Sequence, residues 1–135
     1  MEQTLDQKRA TDSLEKVKRV KENCDSDAAD DYAGYVVRLA GAIRINGLGQ
    51  ALAQLLAAAK QDQNDPHLLV YQDLQQWLCR NDSQAPYPNE PDLLEALVKR
   101  DRDTYQWALA EAMAWLEWHK KLAVAYLKKP EEGQG

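Results

Sequence analysis

Apolar residues recur at three- and four-residue spacing along most of this chain, and no run of β-branched residues alternates with polar ones. A period near 3.6 lines such residues up on one stripe of a helix, whereas a half-buried strand needs a period of two. The pattern leaves an all-α fold, and its interruptions divide the chain into about six helices. Thr4 and Gln7 have the spacing of a capping box and open a first helix over 4–23. Ala10, Leu14, Val17, Val20 and Cys24 share its apolar face, with Lys8, Arg9, Lys16 and Arg19 opposite. Asp12 with Lys16, and Glu15 with Arg19, are spaced as i,i+4 ion pairs. An acidic link over 23–31 leads to a second helix, 28–45, striped with Tyr32, Tyr35, Val36, Leu39 and Ile43. A third helix is predicted over 48–62. Asp65 and Pro66 read as N-cap and first residue of a fourth, which reaches Arg80. A loop with three prolines over 81–91 precedes a short fifth helix, 91–100. Asp101 then caps a long sixth helix to about Lys128, which Pro130 ends. The expectation is one compact helical domain over 1–129, a six-helix bundle with a long C-terminal helix, and a disordered tail at 130–135.

The stretch 43–56, "IRINGLGQALAQLL", interrupts a helical run with Asn46, Gly47 and Gly49. Glycines before a helix can cradle phosphate, but a Walker loop needs a Gly-Lys-Ser/Thr ending and a dinucleotide fingerprint needs a third glycine. Neither is present. Asn46 or Gly47 instead suits the positive-φ position that ends a helix. Such a break can still leave Arg44 and helix-end amides open to an anion.

Composition narrows the function. Seventeen basic and 22 acidic residues give a formal charge of −5, which argues against strong free-standing nucleic-acid binding, since that draws on neutralised phosphates. Cys24 and Cys79 are 55 residues apart and outside any C-x-x-C spacing, as expected of two reduced thiols. The opening residues are too polar for a signal peptide and no apolar run approaches the length of a span, so a cytoplasmic protein without membrane contact is expected. His67 and His119 lack zinc-site spacing, and Asp25, Asp27, Asp30 and Asp31 lack the glycine and glutamate of a calcium loop. No serine sits in a nucleophile elbow. We expect no metal, no cofactor and no catalytic residue.

Two surfaces invite a partner. On the sixth helix, Tyr105, Leu109, Ala112, Trp115, Leu116, His119, Ala123 and Tyr126 form a core stripe. Trp107, Ala110, Ala114 and Trp118 lie on another side. Either that helix is buried all round, or Trp107 and Trp118 anchor a protein partner. The second surface is basic: Arg38 and Arg44 flank the stripe of the second helix, Lys99, Arg100 and Arg102 bracket the junction of helices five and six, and Lys120 and Lys121 lie further along. These are either solvated faces balanced by neighbouring acids or phosphate contacts.

The segments "AGAIRINGLGQALAQLLA" (40–57) and "LLEALVKRDRDTYQWALAEAMAWLEWHKKLA" (93–123) resemble the small helical subunit of the type III-B CRISPR RNA-guided effector, the Cmr complex. In that family an Ile-Arg-x-Asn-Gly-Leu-Gly-Gln segment joins two helices, and a Leu-rich segment leads through a Tyr-containing turn into a Trp-rich final helix. The likeness spans about residues 5–128. It implies a subunit without catalytic activity, monomeric alone. Copies would stack as a minor filament beside the larger subunits that carry the guide RNA, and help hold target RNA. Arg44 matches the motif arginine and is the first candidate for an RNA backbone contact; Arg38, Lys99, Arg100, Arg102 and Lys121 follow on charge and position. Trp107 and Trp118 would pack on a neighbouring subunit. The competing reading is a helical protein-interaction module that touches no nucleic acid.

Overall fold

Side-chain oxygens set where most of the helices begin. In the computed structural model, which describes residues 2–130, Thr4 and Gln7 exchange the two hydrogen bonds of a capping box ahead of α1 (Leu5–Asn23). Asp25 accepts from the Ala28 amide and starts α2 (Ser26–Asn46), while Asp65 accepts from the His67 amide and starts α4 (Pro66–Leu78). Asp92 and Asp101 do the same for α5 (Leu93–Lys99) and α6 (Arg102–Leu127). No strand occurs among the described residues. Of the tail expected over 130–135, residues 131–135 lie outside the described residues.

The fourth helix ends at Leu78, two residues short of the sequence reading, and three other boundaries differ from it for local reasons. The second helix starts earlier, at Ser26, because Asp25 in the acidic link is its cap. The fifth starts after Pro91, because Asp92 supplies the capping carboxylate. The third, α3 (Leu48–Ala59), stops short of residue 62 because Lys60 and Gln61 take left-handed φ values of 52° and 64°.

Gly47 closes α2 and opens α3 at once, with φ 89° and ψ 162°. This region is closed to residues with a Cβ, so the glycine is a chain break and not a phosphate loop. Tyr105 Oη accepts from the Gly49 amide at 3.2 Å, doing for α3 what a capping side chain does elsewhere. Gly47→Ala is expected to cost about 1–3 kcal/mol. Gly41→Ala, where an added Cβ meets nothing within 4 Å, should gain up to about 1 kcal/mol. Urea denaturation of the two variants checks both signs.

The long α6 is the organising element. Ala108, Ala112, Trp115, Leu116, His119 and Ala123 are buried along it, and α1 and α2 pack on either side. Arg9 meets Glu111 and Lys21 meets the Tyr126 carbonyl, so α1 runs parallel to α6. Lys128 meets Asp30 and Glu117 meets Arg44, so α2 runs antiparallel to it. The stripe on α6 is shorter than expected, since Tyr126 is 41% exposed. The face of α1 also differs from the periodic reading: Ser13 and Lys16 are buried with Val17 and Val20, although Lys16 was expected on the solvent side. Its ammonium reaches Asp12 at 2.6 Å, and Asp12 also accepts from Trp115 Nε1 at 2.9 Å. Glu15 and Arg19 form no ion pair among the described residues.

A chain of buried polar groups ties four helices together. Ser13 Oγ (α1) lies 2.7 Å from His119 Nδ1 (α6), and His119 Nε2 lies 2.7 Å from Tyr32 Oη (α2). Tyr32 donates to Asp73 Oδ2 (α4) at 2.5 Å. One proton arrangement satisfies every link: Ser13 donates to Nδ1, Nε2–H donates to Tyr32, and Tyr32 donates to the carboxylate. Burial pushes His119 down to about 3 and Asp73 up to about 6, so the imidazole is neutral in this chain. The Ser-His pairing looks like that of a nucleophile and its base, but Ser13 and His119 are both 0% exposed. Both are closed off from solvent.

Candidate nucleic-acid interface

Where α2 and α6 pack antiparallel, the last turn of α2 delivers Arg44 to the middle of α6. There Glu117 accepts three cations: Arg44 Nη2 at 3.5 Å, Lys120 Nζ at 3.3 Å and Lys121 Nζ at 3.6 Å. The lysines sit three and four residues on, the spacing that brings helix side chains together. A hydrogen bond from Lys120 and its charge, with the charges of Lys121 and Arg44 behind them, hold the Glu117 carboxyl below its ordinary range. Three positive charges against one leave this cluster with an excess of two. Arg44 is 60% and Lys121 71% exposed, so the excess faces solvent. Exposed pairs of this kind add little to stability.

Trp118 borders the cluster. Its Nε1 donates to Asp6 of α1 at 3.1 Å, and a groove of about 390 Å³ runs between Asp6, Ala114, Glu117, Trp118 and Lys121. Trp107 stands eleven residues earlier on the same line of α6, about 16 Å away. Trp107 and Trp118 are 44% and 37% exposed, which rules out a sixth helix buried all round.

The other predicted site residues are placed elsewhere. Arg38 lies on the far flank of α2, its guanidinium 5.3 Å above the Tyr35 ring. Lys99 and Arg100 end α5 and are paired with Glu95 at 3.9 Å and Glu90 at 3.4 Å. Arg102 opens α6 with no carboxylate partner among the described residues, roughly 28 Å of helix away from Lys121. The sequence-predicted cations thus form three separate places: Arg38, the α5–α6 junction with Lys99, Arg100 and Arg102, and the contact where Arg44 and Lys121 meet. Glu117 was not foreseen, because an acid among lysines reads as one more exposed pair. The signal was its spacing to Lys120 and Lys121 on the helix that also carries Trp118.

Among the described residues no group of three His, Cys, Asp or Glu side chains could hold a metal ion. Cys24 and Cys79 are free thiols, and burial raises both. Among the described residues no helix is long and apolar enough to cross a membrane.

Residues 5–126 match the family described as CRISPR-associated protein (Cas_Cmr5). The chain belongs to the Cmr5 family. A crystal structure of a CRISPR-associated Cmr5 family protein from Thermus thermophilus superimposes with a TM-score of 0.71 at 25% identity, covering 93% of this chain and all of that one. The Cmr5 match accounts for the all-α architecture with its long last helix and bears out the resemblance to the small subunit of the type III-B Cmr complex. The matched span takes in Arg44 and the whole Glu117 cluster, so this surface lies within the family's domain and not in an appendage.

Proposed function

We propose that this chain is a non-catalytic subunit of an RNA-guided effector complex, stacking with copies of itself in a minor filament and helping to hold target RNA through the Arg44–Glu117–Lys121 face. Family membership supports the complex; the solvent-facing excess of positive charge at the α2–α6 contact supports the RNA contact. Base pairing with the guide would supply sequence specificity, which leaves the protein to meet phosphates and duplex shape. A net charge of −5 is compatible with this role, because the guide-bearing subunits supply the local concentration of RNA. The cytoplasm is the compartment that fits. Of the acids in the link before α2, Asp27 and Asp30 are paired with Lys129 and Lys128, which offsets their repulsion of phosphate.

The line of Trp107 and Trp118 favours a protein contact beside the RNA face, with two half-exposed indoles as anchors. The decisive test is reconstitution of the complex with Arg44→Glu/Lys121→Glu. The double variant should assemble normally and lose roughly tenfold or more in target-RNA capture at physiological salt. Normal capture would remove this face from the RNA path. Failed assembly with Trp107→Ser/Trp118→Ser, at unchanged thermal stability, would assign the indoles to a neighbouring subunit.

A further inference from the structure

The opposite flank of α2 carries a second arrangement, built from an aromatic wall, an apolar slot and a pair of cations. Tyr35 and His67 stack with ring centroids 3.6 Å apart and an interplanar angle of 14°. His67 is held in place by Asp65, whose carboxylate meets both its amide and its Nδ1 at 2.8 Å. Beside this wall α2 and α3 part to leave an open slot of about 220 Å³ with Leu39, Ala51 and Leu55 on its apolar surface and Gln54 offering an amide. That is smaller than a drug-sized site. It suits a single flat ring.

The cations, Arg38 of α2 and Lys128 at the end of α6, meet over Gly34, next to Tyr35 in the chain. A Cβ at Gly34 would lie 3.6 Å from Lys128 Nζ and 3.8 Å from Arg38 Nη2, so both nitrogens rest over one stretch of bare backbone. They are no farther apart than the sum of those distances, a gap that one phosphate spans with an N–H···O contact on each side. Lys128 is balanced by Asp30 at 3.4 Å, whereas Arg38 has no carboxylate partner among the described residues. Arg38 also lines the slot and covers the Tyr35 ring, so the cation pair and the slot share a residue. An aromatic side chain from a protein would fill the slot but leave the cations idle. A flat ring carrying an anion uses both.

We infer that the Gly34–Arg38–Lys128 cradle and the Tyr35-walled slot together bind one unstacked nucleotide, its phosphate on the cations and its base in the slot. Single-strand sites pack splayed bases on aromatic and guanidinium planes; here Tyr35 lies between His67 and Arg38, so the base meets the edge of the ring and the Arg38 guanidinium. The choice of an RNA strand over a free nucleotide rests on the function proposed above. The slot itself does not.

The test is an amide-resolved NMR titration of the full chain at low salt with a six-nucleotide unstructured RNA, an abasic strand of equal length, uridine monophosphate and N-acetyltyrosinamide. The RNA should shift the amides of Gly34, Tyr35, Gln54 and Ala58, and the abasic strand should shift only Gly34 and its neighbours. Tyr35→Leu, which keeps apolar bulk and removes the ring, should weaken the RNA roughly tenfold while leaving the circular dichroism unchanged. Arg38→Gln should weaken both strands. Tighter binding of the strand than of uridine monophosphate identifies RNA as the ligand; equal binding identifies a free nucleotide, and the site stands in both cases. No shift at Tyr35 and Gln54, equal shifts there from the abasic strand, or a response to N-acetyltyrosinamide alone would overturn it. None of these readouts depends on assembly of the effector complex, so a failure here leaves the proposed function standing.

Discussion

Glu111→Ala is expected to destabilise the chain by about 3–5 kcal/mol, more than any surface change described above. Glu111 is 3% exposed in the middle of α6. Its carboxylate accepts from Arg9 Nε at 2.6 Å, from Arg9 Nη2 at 2.9 Å and from Trp77 Nε1 at 3.1 Å. It therefore joins α1 and α4 to α6, and the two Arg9 bonds have the forked geometry that a guanidinium offers a carboxylate. Truncation leaves a largely buried guanidinium and a buried indole N–H without partners, and the cost comes mainly from those orphaned groups. Glu111→Gln keeps an acceptor for Trp77 and should lose about half as much. Urea midpoints at neutral pH decide it: a loss under about 1 kcal/mol for the alanine variant would mean that water replaces the carboxylate.

The second large effect is a dependence on pH that two buried groups hide from one another. Asp73 is pushed up to about 6 by burial, with the Tyr32 hydrogen bond pulling partly the other way. Between the ordinary carboxyl range and about 6, the folded chain keeps a proton that the unfolded chain has released. Stability from this group is therefore full at low pH and falls by roughly 3 kcal/mol as pH rises through that window. Burial pushes His119 down to about 3. Between 3 and the ordinary histidine value the unfolded chain takes a proton that the folded chain refuses, so stability falls as pH drops. Over roughly pH 4–6 the two slopes have opposite signs and similar size, each about 1.4 kcal/mol per unit. Asp73→Asn keeps an acceptor for Tyr32 and removes the first slope. It should be more stable than the parent by up to about 3 kcal/mol at pH 7, and this advantage should vanish by pH 4. Unfolding midpoints at pH 4, 5, 6 and 7 measure the difference directly, and a constant difference would count against the assignment.

The parts of this fold that depend on neighbouring residues were legible in the chain. The capping box at Thr4 and Gln7, the Asp65-Pro66 start of α4, the Asp101 cap and the glycine break at 47 each involve groups within four residues of each other. What escaped were polar residues on core stripes. Ser13 and Lys16 share a face with Val17 and Val20, and Glu111 shares one with Ala108, Ala112 and Trp115. Periodicity treats such residues as marks of the solvent side, yet the partners that make their burial tolerable lie 102 residues away for Glu111 and 106 for Ser13. The candidate site divides the same way. Arg44 was legible through the family motif and Lys121 through its charge, but their meeting at Glu117 needed the antiparallel docking of α2 on α6. The meeting of Arg38 and Lys128 over Gly34 needed the antiparallel docking of α6 on α2.

The joints of the bundle are of two mechanical kinds. Contacts from α1, α2, α4 and α6 include the directional bonds of Ser13, His119, Tyr32 and Asp73, which work like keys in slots and fix both rotation and register. By contrast α3 rests on its neighbours through Leu48, Ala51, Leu52 and Leu55, with the Tyr105 hydroxyl on Gly49 as its one side-chain tether to another helix among the described residues. Apolar contact is non-directional, and packed helices can shear past one another by small steps. So α3 behaves as a plain bearing beside four keyed shafts, pivoted at Gly47. One wall of the Tyr35 slot is mounted on that bearing, and the aromatic wall on the keyed frame. A base of larger or smaller size would be met by a shift of α3, with the register of α1, α2, α4 and α6 left as it was.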